Sequence, residues 1–427
     1  HTTARQGAAV ESETLLREIV EYCRKAGVAE STFGRFAVND GKFVNRLRDE
    51  HRILWETDDY SGGHWLLFRQ EDIDYVLKTP ELFTNNYSPI LDDMPPEILA
   101  EQQQSMTFMD PPVHRKYRSL VDYAFRLKQL EARKPLMRRI AQETVDRVIE
   151  RGECEFVTEI AMQMPMRVMF ALLGVRDEDF SRVVSLVNTL ALADDPEFAE
   201  NRALGWQASM DLIEFGTQLA ADHRARPRDS MTMDVIATTI DGRALDDREF
   251  GRFFNNLVVG GLETPRNTLA LGLHQLILHP EQYRLLEQDP ALVPGAVQEF
   301  LRHQNTVVYL RRTATRDMEY LGQQIRKGHK LVCILGAPNR DPALFPDPDA
   351  FDITRPIGNT RKNYRTFGQG PHYCVGVHQA RLNLEVMLEA IVRCMTDFRL
   401  LAAPRHARSI FMDGYKEMRV GFARRPA

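Results

Sequence analysis

The chain has 427 residues, a formal net charge of −5, 43% hydrophobic and 27% charged residues, which is the balance of a globular protein with a sizeable core. Mild acidity excludes a basic nucleic-acid footprint, no apolar run reaches the length of a membrane span, and the N-terminus has no signal-peptide core. Five cysteines, odd in number, far apart and without a CxxC pair, exclude a disulfide framework and point to a reducing, cytoplasmic setting.

In chain order, residues 11–25 (ESETLLREIVEYCRK) have an amphipathic helix pattern within an N-terminal extension, 1–44. No linker, repeat or low-complexity tract divides the rest, so a single domain is expected over 45–427. The stretch HRILWETDDYSGGHWLLF reads as two strands around a Ser-Gly-Gly turn. Residues 114–240 are mostly helical in period. After an Asp241-Gly242 turn, Asp246 with Glu249 three residues on forms a capping-box pattern. Phe250, Phe253, Phe254, Leu257, Val258, Gly261, Thr264, Thr268, Leu269, Leu273 and Leu276 then recur at spacings of mostly three and four. Pro280 ends this helix, which at about 1.5 Å per residue is about 50 Å long. A further helix closes on QEFLRHQN, and β-type segments follow around Val307, Tyr320 and Leu331. A loop rich in Pro and Asp leads to FGQGPHYCVG, residues 367–376, and a last helix begins at once. The predicted class is mainly α with a minor, scattered β component.

The single cysteine of that decapeptide, Cys374, stands where a glycine loop meets a helix start. Helix N-termini lower a thiol pKa from about 8.5. The helix end contributes about 0.3–1 kcal/mol and each backbone N–H donated to an anion about 1.5–3 kcal/mol, so the local amides are the larger influence. Gly370 and Gly376, lacking Cβ, let those amides approach the sulfur. Such a thiolate suits a nucleophile, with His372 or His378 as base, a redox thiol or a metal ligand. Zinc would need distant partners, whereas a haem iron needs only one axial protein ligand.

The decapeptide resembles the FxxGxxxCxG signature of the cytochrome P-450 family at Phe367, Gly370, Cys374 and Gly376. Further motifs fall in that family's order: DPPVHRKYRSLV at 110–121, VVGGLETP at 258–265, ExxR at Glu299–Arg302, RRTA at 311–314, and APNRDPALFPDPDAFDITRP at 337–356, where Pro338 intrudes. The resemblance covers roughly residues 45–425. It implies the P-450 fold, with a long central helix over a haem and small β-sheets. The cofactor implied is haem b with Cys374 as the axial thiolate and metal ligand. Phe367 would shield the sulfur beside Gly376. His114, Arg118, Arg312 and His372 would meet the haem propionates. Arg311 rivals Arg312, but the family pattern Arg-x-Ala matches Arg312-Thr313-Ala314. Glu299, Arg302 and Arg355 would form a buried structural network under the cysteine loop.

In the central helix, Glu263 and Thr264 match the family's acid–alcohol pair for proton delivery. On its own, such a threonine would bond back to a helix carbonyl. Pro265 departs from the pattern. It cannot donate to Gly261, at a cost of about 3 kcal/mol in a helix interior, but falls where the family opens this helix.

The activity implied is that of a bacterial-type soluble monooxygenase inserting one oxygen atom from O2 into an apolar substrate: a terpenoid, steroid, fatty or aromatic compound. The chain ends soon after the haem loop, so electrons are expected from a separate ferredoxin and ferredoxin reductase, with Arg115, Lys116, Arg361, Lys362 and Arg365 as basic contacts. Substrate contacts are expected from 82–108, 185–205, Leu257, Gly261, Val307, Val308 and Phe411. Alternatives are coupling, desaturation or rearrangement in natural-product synthesis, and a peroxygenase driven by H2O2. The last class typically replaces the acid–alcohol pair, which is intact here.

Overall fold

The computed structural model describes residues 41–57, 62–122, 125, 127–193, 195, 197 and 202–426. The helix pattern at 11–25 and Cys23 lie outside the described residues. Helices dominate: α1 (Val113–Asp122), α2 (Leu127–Ile149), α3 (Gln163–Leu173), α4 (Phe180–Ala191), α5 (Arg202–Ala225), α6 (Asp247–Leu278), α7 (Val293–His303) and α8 (Val377–Cys394) carry the core. The largest sheet joins β1 (Ile53–Glu56), β2 (His64–Leu67), β3 (Phe83–Thr84), β4 (Tyr309–Ala314) and β5 (Lys330–Ile334) in the order β1-β2-β5-β4-β3. β1 and β2 pair antiparallel, Ile53 opposite Leu67, as the Ser-Gly-Gly turn leads one to expect. Because side chains alternate along a strand, this sheet buries both faces: Leu67, Leu331 and Cys333 in one cluster, Val332 and Ile334 in another.

α6 spans 32 residues and organises the molecule. Its first half sends Phe250, Phe253, Phe254, Leu257, Val258 and Leu262 into a core shared with α3, α4 and α5. Its second half sends Leu269, Leu271, Leu273 and Leu276 into a separate core with α2, α7 and α8. The segment 259–265 lies at the junction of the two cores. The helix runs unbroken through Pro265. The expected opening is thus absent as a break in the helix, and the proline's effect is confined to the missing N–H. Packing of both halves holds the axis where propensity alone would interrupt it.

The capping box forms as the sequence indicates. Asp246 Oδ1 accepts from the Glu249 N–H at 2.7 Å, and Glu249 Oε2 accepts from the Asp246 N–H at 2.9 Å. Glu249 also accepts two bonds from Arg243, at 2.7 and 2.6 Å, and one from the Tyr117 hydroxyl at 2.8 Å. The Arg243 guanidinium, opposed by burial and helped by these other donors, holds the Glu249 carboxyl down at about 2. A depressed carboxylate contributes stability above its unfolded pKa of about 4.3, and that contribution is lost as pH falls towards the folded value. Glu249→Gln is therefore expected to lower the thermal midpoint at neutral pH, with the gap to wild type closing between about pH 4 and pH 2. A gap independent of pH would show that the charge is not what matters.

Candidate active site

The decapeptide folds as a tight loop that delivers Cys374 to the start of α8. A single turn, Gly370–His372, precedes the cysteine, and Gly376 caps α8. The Cys374 N–H donates to the Phe367 carbonyl at 3.1 Å, and the Tyr373 N–H to the Gly370 carbonyl at 3.0 Å. Gly370 has φ of +73°, and a Cβ there would run into the Leu77 carbonyl, so the turn needs glycine. Burial pushes the Cys374 thiol up, while a hydrogen bond from the Gly376 N–H and the charges of Arg118 and Arg381 act against that rise. Burial pushes the thiols of Cys154 and Cys333 up to about 12, against one arginine each, Arg151 and Arg312. The open question of a basic partner is answered by geometry. The His372 ring lies 4.1 Å from that of His114, between centroids, and His378 is exposed on α8. No histidine bonds the Cys374 sulfur among the described residues. Val375 packs with the core that contains Leu257, Val258 and Leu262, which brings the cysteine loop and α6 to one interior.

Beside the loop the fold gathers basic side chains from three distant segments. His114 is 2% exposed, and its Nδ1 has no partner. Burial first and Arg118 second push its pKa down to about 4. His372 Nε2 is likewise buried without a partner, and burial, Arg312 and His114 hold that ring neutral. Arg118 donates to the Tyr373 carbonyl at 2.7 Å and to Asp122 at 3.1 Å. Arg312 is buried and donates to Asn85 Oδ1 and its neighbour's carbonyl, each at 2.8 Å. It has no carboxylate within ion-pair distance among the described residues, and burial pushes it down to about 10. Arg311, next along β4, instead pairs with Asp93 at 2.8 Å. Buried polar atoms without a partner and a buried cation lacking an anion are costly unless a ligand completes them. Two carboxylates, such as haem propionates, match the two arginines, so the residues present fit a haem, which Arg118 and Arg312 would hold by its propionates and Cys374 by its iron.

The network beneath the loop is almost fully buried. Arg302 donates to both Glu299 oxygens, at 2.7 and 2.6 Å, and to the carbonyls of Asn339, Pro348 and Ala350. Arg355 approaches Glu299 at 3.4 Å, and the Asp352 N–H donates to Glu299 at 2.9 Å. Asn339 passes the network on, accepting from the Arg365 N–H at 2.8 Å and donating to Thr366 at 3.0 Å. These two residues immediately precede Phe367.

On α6, Glu263 is buried at 1% exposure and ion-paired with Arg266 one turn on, while its Oε1 has no partner. Burial raises its pKa and Arg266 opposes the rise. The Thr264 hydroxyl donates to the Gly260 carbonyl at 2.8 Å, the local bond that threonine makes in any helix, leaving its lone pairs for another donor.

One expectation needs correction, and the expected substrate contacts differ in their settings. A Cβ on Gly261 would meet the Met169 side chain, whereas one on Gly260 would meet nothing within 4 Å. Gly260, not Gly261, is therefore the glycine of α6 that faces open space. Val308 is buried with Phe68, Leu91 and Tyr309, and Val307 packs with the opposite cluster. Phe411 packs with the Val308 cluster and Leu257 with the core of α6. Arg365 is no surface contact: it is buried against Asp74, with bonds of 2.6 and 3.0 Å. Arg115, Lys116, Arg361 and Lys362 are exposed, although Lys116 pairs with Asp241 at 2.6 Å.

Sequence reasoning missed Asn85, Asn339 and Arg381. Only Arg381 left a readable signal, an arginine in the apolar stripe Val377, Arg381, Leu384, Leu388, whose spacing marks a buried helix face.

The cytochrome P-450 family model matches residues 41–292 and 288–413. A methyl-branched lipid omega-hydroxylase of Mycobacterium tuberculosis is 32% identical over 392 residues, covering 90% of this chain and 91% of that protein. A steroid C26-monooxygenase of Rhodococcus jostii is 30% identical, covering 85% of this chain and 76% of that protein. A solved structure of a Mycobacterium marinum cytochrome P-450 in complex with pseudoionone superposes with a TM-score of 0.82 at 30% identity, covering 90% of this chain and 94% of that one. No helix among the described residues is long and apolar enough to cross a membrane.

Proposed function

The chain belongs to the cytochrome P-450 family, and from that premise we propose that it inserts one oxygen atom of O2 into an apolar terpenoid, steroid or branched lipid. As a P-450 monooxygenase it is an oxidoreductase that incorporates oxygen. The family implies a haem-thiolate cofactor; Cys374 is proposed as its ligand. Arg118 and Arg312, with the neutral rings of His114 and His372, are proposed to hold the propionates. The single observation that carries the reading is the convergence of those four residues beside the Cys374 loop, with buried ring nitrogens that lack a partner and a buried arginine that lacks an anion. The apolar substrate class is supported by the relatives' named substrates. Electrons come from a separate ferredoxin and its reductase, docking near the exposed Arg115, Arg361 and Lys362.

When bound, haem supplies O2 binding and the redox chemistry of oxygen insertion. Phe367 and the packed loop keep water from the sulfur, while the Gly376 N–H favours its anionic form. Glu263, paired with Arg266, is held at the junction of the two cores, where burial favours uptake of a proton and Arg266 opposes it. Its unpartnered Oε1 is the atom that can take up and pass on a proton. Thr264, anchored to Gly260, can accept on one lone pair and donate by turning its O–H away from that carbonyl. Pro265 leaves the Gly261 carbonyl without its helix donor, so that oxygen is able to bind a water or a substrate hydroxyl.

The function is tested by turnover with a surrogate ferredoxin and reductase under 18O2, using branched fatty acids, sterols and acyclic terpenoids as substrates. One labelled oxygen atom in the product is expected; unlabelled or merely dehydrogenated products would overturn oxygen insertion. Thr264→Ala is expected to keep substrate-induced change in the haem spectrum but to lower product per NAD(P)H several-fold, with peroxide formed instead. Unchanged coupling would remove Thr264 from proton delivery.

A further inference from the structure

α8 buries the stripe Val377, Arg381, Leu384 and Leu388, and one member of it is a cation. Arg381 is 9% exposed. It donates to the Tyr364 hydroxyl at 2.6 Å, and that hydroxyl donates to Gln298 at 3.0 Å. Its guanidinium carbon lies 5.2 Å from the centre of the Phe367 ring and 6.0 Å from that of Tyr364. Its Nε is buried with no partner. Among the described residues no carboxylate lies within ion-pair distance of it. A phenol and two aromatic faces do not neutralise a buried charge, and a charge so placed is costly unless an anion lies nearby.

Two anions are candidates. Glu385, one turn further along α8, is itself pushed towards its neutral form, by burial first, against the charges of Arg361, Lys134 and Arg381. Cys374 is tied to Arg381 through one residue, since Phe367 accepts the Cys374 N–H on its carbonyl and carries the guanidinium against its ring. Arg118 also acts on the cysteine, but it is already engaged by Asp122 and the Tyr373 carbonyl.

We propose that Arg381 is a positioning residue, the buried countercharge of the Cys374 thiolate, and that it raises the readiness of the site to accept an electron. The proposal rests on Cys374 being the axial ligand of the haem. Reduction of the ferric site adds one negative charge. A fixed cation on the thiolate side favours that state and draws electron density from the sulfur. Tyr364 and Gln298 aim the guanidinium, and Phe367 keeps water from screening it.

The test uses haem-loaded protein. The ferrous–CO spectrum first checks thiolate ligation, then the ferric/ferrous midpoint potential and the CO stretching frequency are measured. Arg381→Gln is expected to lower the equilibrium constant for reduction about tenfold, the order expected of one unit charge several Å away at an effective dielectric constant of about 20. The CO stretch should fall with it, because a less stabilised thiolate donates more to the iron. Arg381→Met, which fills the apolar slot without charge, gives the same shift if the Gln variant loads haem poorly. Arg381→Lys restores most of the potential. Tyr364→Phe, which frees the guanidinium to move, shifts the potential in the same direction as Arg381→Gln but by less. A wild-type potential in both Arg381→Gln and Arg381→Met overturns the proposal, as does an equally large change in Glu385→Gln. Absence of the red-shifted ferrous–CO band in the wild type overturns the ligand assignment, and this proposal with it.

Discussion

Cys374→Ala is expected to abolish the red-shifted Soret band of the ferrous–CO form and all oxygen insertion, while leaving a folded chain. The substitution removes the only side-chain sulfur at the α8 start and leaves the loop's own bonds in place. The Cys374 N–H to Phe367 and the Tyr373 N–H to Gly370 are backbone contacts that alanine keeps. The side chain is half-buried, so truncation to a methyl group costs on the order of 1 kcal/mol. Among the described residues no other cysteine can take its place. Cys154 and Cys333 are buried elsewhere with thiols near 12, and Cys394 closes the far end of α8. The measurement is the CO difference spectrum beside a far-UV thermal melt. A surviving red-shifted band would place the ligand elsewhere; a collapsed melt would give Cys374 a structural role as well.

Glu299→Ala should be the most damaging change away from the haem pocket. Both partners are essentially sealed from water, at 1% and 0% side-chain exposure. The substitution strands the Arg302 charge with three carbonyls and no anion, and it takes the acceptor from the Asp352 N–H. Breaking a buried pair from one side costs about 3–5 kcal/mol, against a typical total stability of about 5–15 kcal/mol. The loss reaches the cysteine loop because Asn339, held by Arg302 through its carbonyl, binds Arg365 and Thr366 just before Phe367. The expected outcome is poor haem incorporation and a lower thermal midpoint, with substrate affinity of the loaded fraction little changed. Glu299→Gln, which keeps an acceptor, should fall between. A variant that loads haem fully and melts like wild type would end the structural reading.

Much of this was legible in the linear chain because it depends on neighbours. The capping box, the three-residue spacing of Glu299 and Arg302, the proline at the end of α6 and the cysteine at a helix start are all set within one or two helical turns. The strands at 53–56 and 64–67 likewise announce themselves by a turn and an alternation.

Long-range placement was not legible. Arg311 and Arg312 are adjacent on β4, and a strand turns successive side chains to opposite faces. Only the packing of the sheet decides that Arg311 meets Asp93 while Arg312 meets Asn85. Gly260 and Gly261 differ by about 100° around α6, and the seat of that helix against Met169 decides which one faces open space. Arg365 reads as a surface charge until Asp74, 291 residues away, closes on it. Local spacing determines which residues share a helix face or a turn, since hydrogen-bond geometry there is nearly fixed. Which way that face points, and what charge answers it, is decided only when distant elements pack and exclude water.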